Sequence, residues 1–243
     1  MPRFYPLLLT LLLGAATASA QHTYRLGVRG GLNRALSTVE PSNTSPSSAY
    51  YYSASKSALY AWQAGAVLEV AFRHVALQPA LVFSQKGEQF DAATSINGFA
   101  GVSSTETSTL SRYNWLELPV NVVYTLHGFQ VFAGPYVALG LGGRQHGTLW
   151  QSSPAARFRP YDFDGKIRYG ADTENRRVDA GVNFGLGYRK GPLQMQLGYG
   201  LGLRNLHQPM KGLISENPYY HDFNADRAYN RVAQLTATYF FEL

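Results

Sequence analysis

The chain has 243 residues, 45% of them hydrophobic, with 15% charged and 14% aromatic. That length and composition suit one domain with a sizeable buried surface. The net charge of +6 comes without a basic cluster, since the densest basic spots are pairs such as Arg176-Arg177 and Arg189-Lys190; a nucleic-acid-binding stripe is therefore not indicated. The absence of cysteine excludes a disulfide framework, a thiolate metal site and a lipidated N-terminal cysteine.

Residues 1–20 read as a secretory signal. Arg3 supplies the positive start, Leu7 to Leu9 and Leu11 to Leu13 the apolar stretch, and Ala18-Ser19-Ala20 the small-residue cleavage pattern, so Gln21 is expected to begin the mature chain. The apolar run is too short to serve as an uncleaved anchor, and no later segment reaches the roughly 20 apolar residues of a membrane-spanning helix.

Beyond residue 20 the period is two, and it recurs eight times. The first predicted strand, 24–36, sets Tyr24, Leu26, Val28 and Leu32 against Arg25, Gly27, Arg29 and Asn33. The second, 59–72, sets Trp62, Leu68, Val70 and Phe72 against Gln63, Gly65 and Glu69. In the third, 75–86, Leu77, Pro79, Leu81 and Phe83 oppose Gln78, Ala80, Ser84 and Lys86. In the fourth, 113–125, Leu116, Leu118, Val120, Val122 and Tyr124 oppose Glu117 and Asn121. The fifth, 129–141, aligns Phe129, Val131, Ala133, Val137 and Leu139. The sixth, 178–189, sets Val182, Phe184, Leu186 and Tyr188 against Asp179, Asn183 and Arg189. The seventh, 193–205, sets Met195, Leu197, Tyr199 and Leu203 against Gln194, Gln196 and Arg204. The eighth, 231–243, sets Leu235, Ala237, Tyr239 and Phe241 against Gln234, Thr236, Thr238 and Glu242.

The connections alternate in length. Arg73-His74, Leu126-His127-Gly128 and Lys190-Gly191-Pro192 read as tight turns. Segments 37–58, 87–112, 142–177 and 206–230, rich in Ser, Thr, Asn, Gly and Pro, read as long loops. Short turns on one side and long loops on the other predict an all-β, eight-stranded antiparallel up-and-down transmembrane β-barrel, spanning residues 21–243, with its turns and both termini in the periplasm of a Gram-negative cell.

A soluble barrel of the lipocalin type would turn the same apolar faces inward. The strand ends argue against it. Tyr24, Phe72, Tyr124, Phe129, Tyr188 and Phe241 fall on the apolar parity at the short-turn ends, as an aromatic girdle at one membrane interface does, and Trp62 suits the opposite girdle. Away from the long-loop ends of the first and eighth strands, where Arg34 and Arg231 share it, the apolar parity carries no charge. Arg25, Arg29, Arg204, Glu69, Glu117 and Asp179 fall on the opposite parity, where a narrow interior requires them to form a charge network; antiparallel pairing of the first two strands brings Arg25 near Glu69. Pro79, Pro119 and Pro135 lie inside strands and each deletes a ladder bond, so bulges or strand edges are expected there.

The segments GVRGGLN (27–33), LQPALVFSQKG (77–87), YNWLELPVNVVYTL (113–126), FAGPYVALGLGG (132–143) and AGVNFGLGY (180–188), in this order, resemble the PorT-like family of outer-membrane β-barrel proteins. The resemblance spans nearly all of the mature chain and implies tolerance of the three prolines. The family's name comes from a barrel needed for protein secretion, a role that does not transfer from resemblance. Many such barrels end in Phe; this chain ends Phe240-Phe241-Glu242-Leu243, so the insertion machinery is expected to read Leu243 or the aromatics before it.

The six histidines, His22, His74, His127, His146, His207 and His221, form no pair at metal-ligand spacing. His207 and His221-Asp222, with Ser215 and Glu216 nearby, are the components of a rim-located lipid- or lipopolysaccharide-modifying enzyme, but no nucleophile motif accompanies them. The glycine runs at 140–143 and 198–202 open no helix and so are not phosphate loops. The expectation is therefore a non-enzymatic surface scaffold, adhesion surface or component of an envelope or secretion complex, without cofactor or metal. Its expected contacts are outer-membrane lipid, lipopolysaccharide and the insertion machinery; the rim enzyme is the alternative.

Overall fold

In the computed structural model the described residues are 23–39, 50–99, 101–154, 156–157, 160–170, 173, 175–207 and 227–242. The signal segment, His22, Ser215, Glu216, His221, Asp222 and Leu243 lie outside them. The strands are β1 (Thr23–Val39), β2 (Tyr50–Phe72), β3 (Val75–Gly98), β4 (Gly101–Leu126), β5 (Phe129–Ser153), β6 (Ala156–Arg157), β7 (Tyr161–Ile167), β8 (Val178–Lys190), β9 (Leu193–Gly202) and β10 (Ala228–Glu242).

Eight of these close a ring. Sequential antiparallel pairs run from β1 to β5, β5 pairs β8, β8 pairs β9, β9 pairs β10, and β10 returns to β1. Closure removes the open edges that a bilayer cannot tolerate. The strands leave no parity in doubt. Leu26, Leu68, Leu118 and Leu197 are on the exposed surface, whereas Asn33, Gln63, Glu69, Gln78, Lys86, Glu117, Asp179 and Gln194 are buried inside. A soluble barrel would have the reverse arrangement, so the apolar faces meet lipid.

The short turns are tight because their residues take the mirror-image dihedrals that match strand twist. His127 and Gly128 have φ of 51° and 88°, and Gly191 has φ of 58° ahead of Pro192. Inside the ring, glycines make room for rings. A β-carbon at Gly198 would stand 2.9 Å from the Phe132 ring, and one at Gly27 would stand 2.8 Å from that of Phe240.

Two expectations are corrected. The prolines carry no bulge. Pairing lapses beside Pro79 and Pro119 and resumes in the same register, and Pro135 pairs Val182 within an unbroken ladder. The irregularities lie between Ala58 and Gln63 on β2, and between Asn114 and Trp115 on β4, where Gly142 opposite has φ of 138°. Second, most of the described length of the expected loops is strand. β2 begins at Tyr50, β3 runs to Gly98, β4 starts at Gly101, β5 reaches Ser153, and β7 adds to β5. In these stretches both faces are solvated, so apolar alternation is lost while the backbone ladder continues. The result is a five-stranded sheet, β2-β3-β4-β5-β7, that projects beyond the ring on the side opposite the short turns.

Candidate functional site

Polar clusters fill the ring interior, and a further one, Lys56 bound to Glu88 at 2.9 Å beside Ser37, lies at the long-hairpin end. Nearest the short turns, Glu69 is surrounded by donors. Arg25 Nη1 lies 2.8 Å from its Oε1, Arg189 Nη1 lies 2.7 and 2.8 Å from its two oxygens, and Gln78 Nε2 donates to Oε2 at 2.7 Å. Gln194 extends the cluster, donating to Gln130 Oε1 at 2.8 Å. The Arg189 guanidinium also lies 4.7 Å from the Phe240 ring centroid, a cation–π contact.

In the middle, Arg29 is buried but meets only neutral acceptors, Thr238 Oγ1 at 3.0 Å and Gln196 Oε1 at 3.1 Å. Above it, Asn33 and Gln63 join at 2.7 Å, and Asn33 donates to Ser84 at 3.0 Å. Toward the long hairpins, Lys86 Nζ lies 2.8 Å from Glu117 Oε1 and 3.9 Å from Asp179 Oδ2. Tyr136 and Asn230 donate to the same Asp179 oxygen at 3.0 and 2.7 Å. Tyr169 closes over Trp115, ring centroids 5.4 Å apart. Each of these buried charges thus has partners, an opposite charge for all but Arg29, which offset part of the several kcal/mol that desolvation of an ion costs.

Of the six residues expected in one network, Arg25 and Glu69 touch, and Glu117 and Asp179 share Lys86. Arg29 stands apart from both groups. Arg204 does not belong: β9 ends at Gly202, and Arg204 is exposed beyond it. Lys86 and Arg189 were missed as members, although both sit on the polar parity of their strands. On the lipid side, Tyr24, Tyr124, Phe129, Tyr188 and Phe241 are exposed at the short-turn end and Phe72 is half-buried there. Phe129 and Tyr188 meet edge to face at 5.2 Å.

The projecting sheet forms a second candidate surface. Cross-strand register sets its outer face, continuous with the lipid-facing side, in layers. Phe83, Leu116 and Leu139 form one row. Gln85 and Asn114 follow, joined at 3.1 Å. Then come Arg112, Arg144 and Lys166 in direct register. Farther out lie Gln89, Leu110, His146 and Asp164, then Ser55, Asp91, Ser108, Thr148 and Asp162, and then Ser53, Ala93, Glu106 and Trp150. Asp164 binds Arg144 in a fork, at 2.8 and 2.6 Å. That hydrogen bond holds the Asp164 carboxyl below its ordinary range and raises the guanidinium of Arg144. Among the described residues no three of His, Asp and Glu gather so as to hold a metal ion.

No curated protein matches the chain. Among solved structures, Neisserial surface protein A (NspA) aligns over 89% of this chain and 97% of its own, with 7% identity and a TM-score of 0.38. The outer membrane protein OprG from Pseudomonas aeruginosa aligns over 92% of this chain and 99% of its own, with 12% identity and a TM-score of 0.35. The assignment rests instead on the closed ring with its inverted polarity and on a family match. Residues 17–208 fit the model described as an outer membrane protein beta-barrel domain, and the chain belongs to that family of outer-membrane β-barrels.

Proposed function

We propose that this protein is a plugged, non-enzymatic barrel whose projecting sheet is its working part, serving as a surface scaffold, an adhesion surface or a component of an envelope or secretion complex. The observation that carries the reading is strand length. β3, β4 and β5 have 24, 26 and 25 residues, whereas about 9–11 residues suffice to cross a bilayer. The surplus is a paired, rigid sheet rather than slack loop, and rigid elements hold a recognition surface more accurately than loops do. By the usual arrangement, with short turns in the periplasm, that sheet stands outside the cell. The polar clusters inside the ring argue against a conducting pore.

Residues 1–20 as a cleaved export signal, and kinship with the PorT-like branch on the five ordered segments, belong to the same proposal. The decisive experiment places a cysteine at Ser104, near the outer end of β4, and exposes intact cells to a membrane-impermeant maleimide. Labelling of intact cells is expected; labelling only after lysis overturns the orientation. Turnover of labelled lipid or lipopolysaccharide by the purified barrel would favour the rim enzyme instead.

A further inference from the structure

The layered outer face of the sheet repeats, in order, the chemistry of a phosphorylated glycolipid. Its apolar row of Phe83, Leu116 and Leu139 suits acyl chains. Four residues farther along β4, roughly 13 Å at 3.3 Å per residue, and five along β5, where the register shifts, comes the row Arg112, Arg144 and Lys166. Three cations opposite one another in a sheet repel, and all three are exposed. Within the described residues the only acid bonded to them is Asp164, which is committed to Arg144. Arg112 reaches only Gln85 Oε1, at 3.5 Å, and Lys166 has no polar partner among the described residues. A row that repels itself and is left short of acid is complementary to phosphate. Beyond it lies a shallow hollow whose lining includes Ser53, Ser55, Asp91, Glu106, Ser108 and Trp150. Hydroxyls and carboxylates around a flat indole that is 55% exposed suit a sugar, whose ring stacks on an aromatic face while its hydroxyls bond to the carboxylates.

We propose that this face seats one phosphorylated glycolipid of the outer leaflet, with phosphate on Arg112 and Lys166 and the sugar beyond it against Trp150. The observation favouring a membrane glycolipid over a free phosphosugar is continuity, since the basic row lies on the same face as the lipid-facing wall, one polar row, Gln85 and Asn114, beyond it. The inference rests on the outward orientation of the sheet proposed above, which the Ser104 labelling tests separately.

The folded barrel in zwitterionic nanodiscs would be titrated with bis-phosphorylated lipid A, its dephosphorylated form, and a rough lipopolysaccharide bearing core sugar. The wild-type protein is expected to bind lipid A at least tenfold more tightly than the dephosphorylated form, and the preference should shrink in 0.5 M salt, where charges are screened beyond roughly 3–5 Å. Arg112→Ser with Lys166→Ser is expected to abolish the preference while heat-modifiable migration stays unchanged. Trp150→Ala is expected to weaken the lipopolysaccharide severalfold and lipid A little. Arg34→Ser with Arg204→Ser, at exposed cations off this row, is the control. An equal loss in the control means diffuse attraction and overturns the seat. So does equal binding of both lipid A forms, or a preference that survives the Arg112 and Lys166 changes. If labelling of the Ser104→Cys protein fails but the lipid preference of the wild-type protein holds, the orientation is wrong and the binding row stands.

Discussion

Replacing Glu69 by Gln is the sharpest probe of the interior. Glu69 is almost fully buried and carries two guanidinium groups, Arg25 at 2.8 Å and Arg189 at 2.7 and 2.8 Å. The amide keeps the shape and one acceptor oxygen but removes the only negative charge bonded to either arginine among the described residues, leaving two cations side by side. Removing one partner of a buried pair costs about 3–5 kcal/mol. The side chains of Arg25 and Arg189 retain 23% and 15% exposure toward the short-turn mouth, so water relieves part of the loss and the lower end, about 3 kcal/mol, is expected. Equilibrium urea unfolding in lipid vesicles measures it. Arg25→Met in the same chain removes one of the two cations and is expected to recover about 1 kcal/mol or more, consistent with the coupling seen between residues of one network. Planar-bilayer recordings should show negligible conductance in both. A Glu69→Gln protein as stable as wild type, or a second change that merely adds to the first, would refute the triad as a stabilising unit. Steady conductance whose ion selectivity changes with Glu69→Gln would instead make these side chains a pore lining.

Leu118→Arg or Leu197→Arg, at exposed lipid-side positions, should cost about 2–4 kcal/mol in folded yield in vesicles. Gln63→Ala, which loses the bond to Asn33, should cost about 1 kcal/mol. Gly198→Ala drives a methyl to 2.9 Å from the Phe132 ring and should destabilise by about 1–3 kcal/mol; Phe132→Leu in the same chain should return part of that in thermal unfolding. The Asp164 carboxyl is held low by Arg144, so the pairing supports β7 above the ordinary aspartate value of about 4 and is lost as pH falls through the depressed value. Amide exchange across β7 should therefore accelerate in acid relative to its intrinsic rate, and Asp164→Asn should remove that pH dependence.

How much of this was legible in the sequence follows from what parity encodes. Arg25 and Glu69 share the polar parity of adjacent antiparallel strands, and the register Arg25↔Glu69 is direct. Arg189 has the same parity but reaches Glu69 from β8, across strands 120 residues apart in sequence. Alternation reveals which face a side chain takes, not which wall it confronts, so neither Arg189 nor Lys86 was matched to its acid. Arg204 shows the opposite failure, parity extrapolated two residues past the end of β9, where the chain has left the ladder. The projecting sheet reads as loop in the sequence because polar and small residues occupy both faces of β3 and β4 beyond the lipid, and a ladder solvated on both sides leaves no apolar period. The lipid-facing aromatics were readable because burial and exposure still alternate there.

The seam between β1 and β10 constrains the order of assembly. Its register runs from Arg25↔Glu242 to Val39↔Ala228, joining the first described strand to the last. The curved sheet therefore cannot become a cylinder until the final strand has been delivered. Until then Glu69, Lys86, Glu117 and Asp179 face an open trough, and a trough opening into hydrocarbon would strand those ions in oil. Contacts between chain ends also fold slowly, because the loop entropy is lost before the pairing rewards it. The seam thus favours insertion and closure as a single event, with the last strand acting as the latch that seals the charges from lipid.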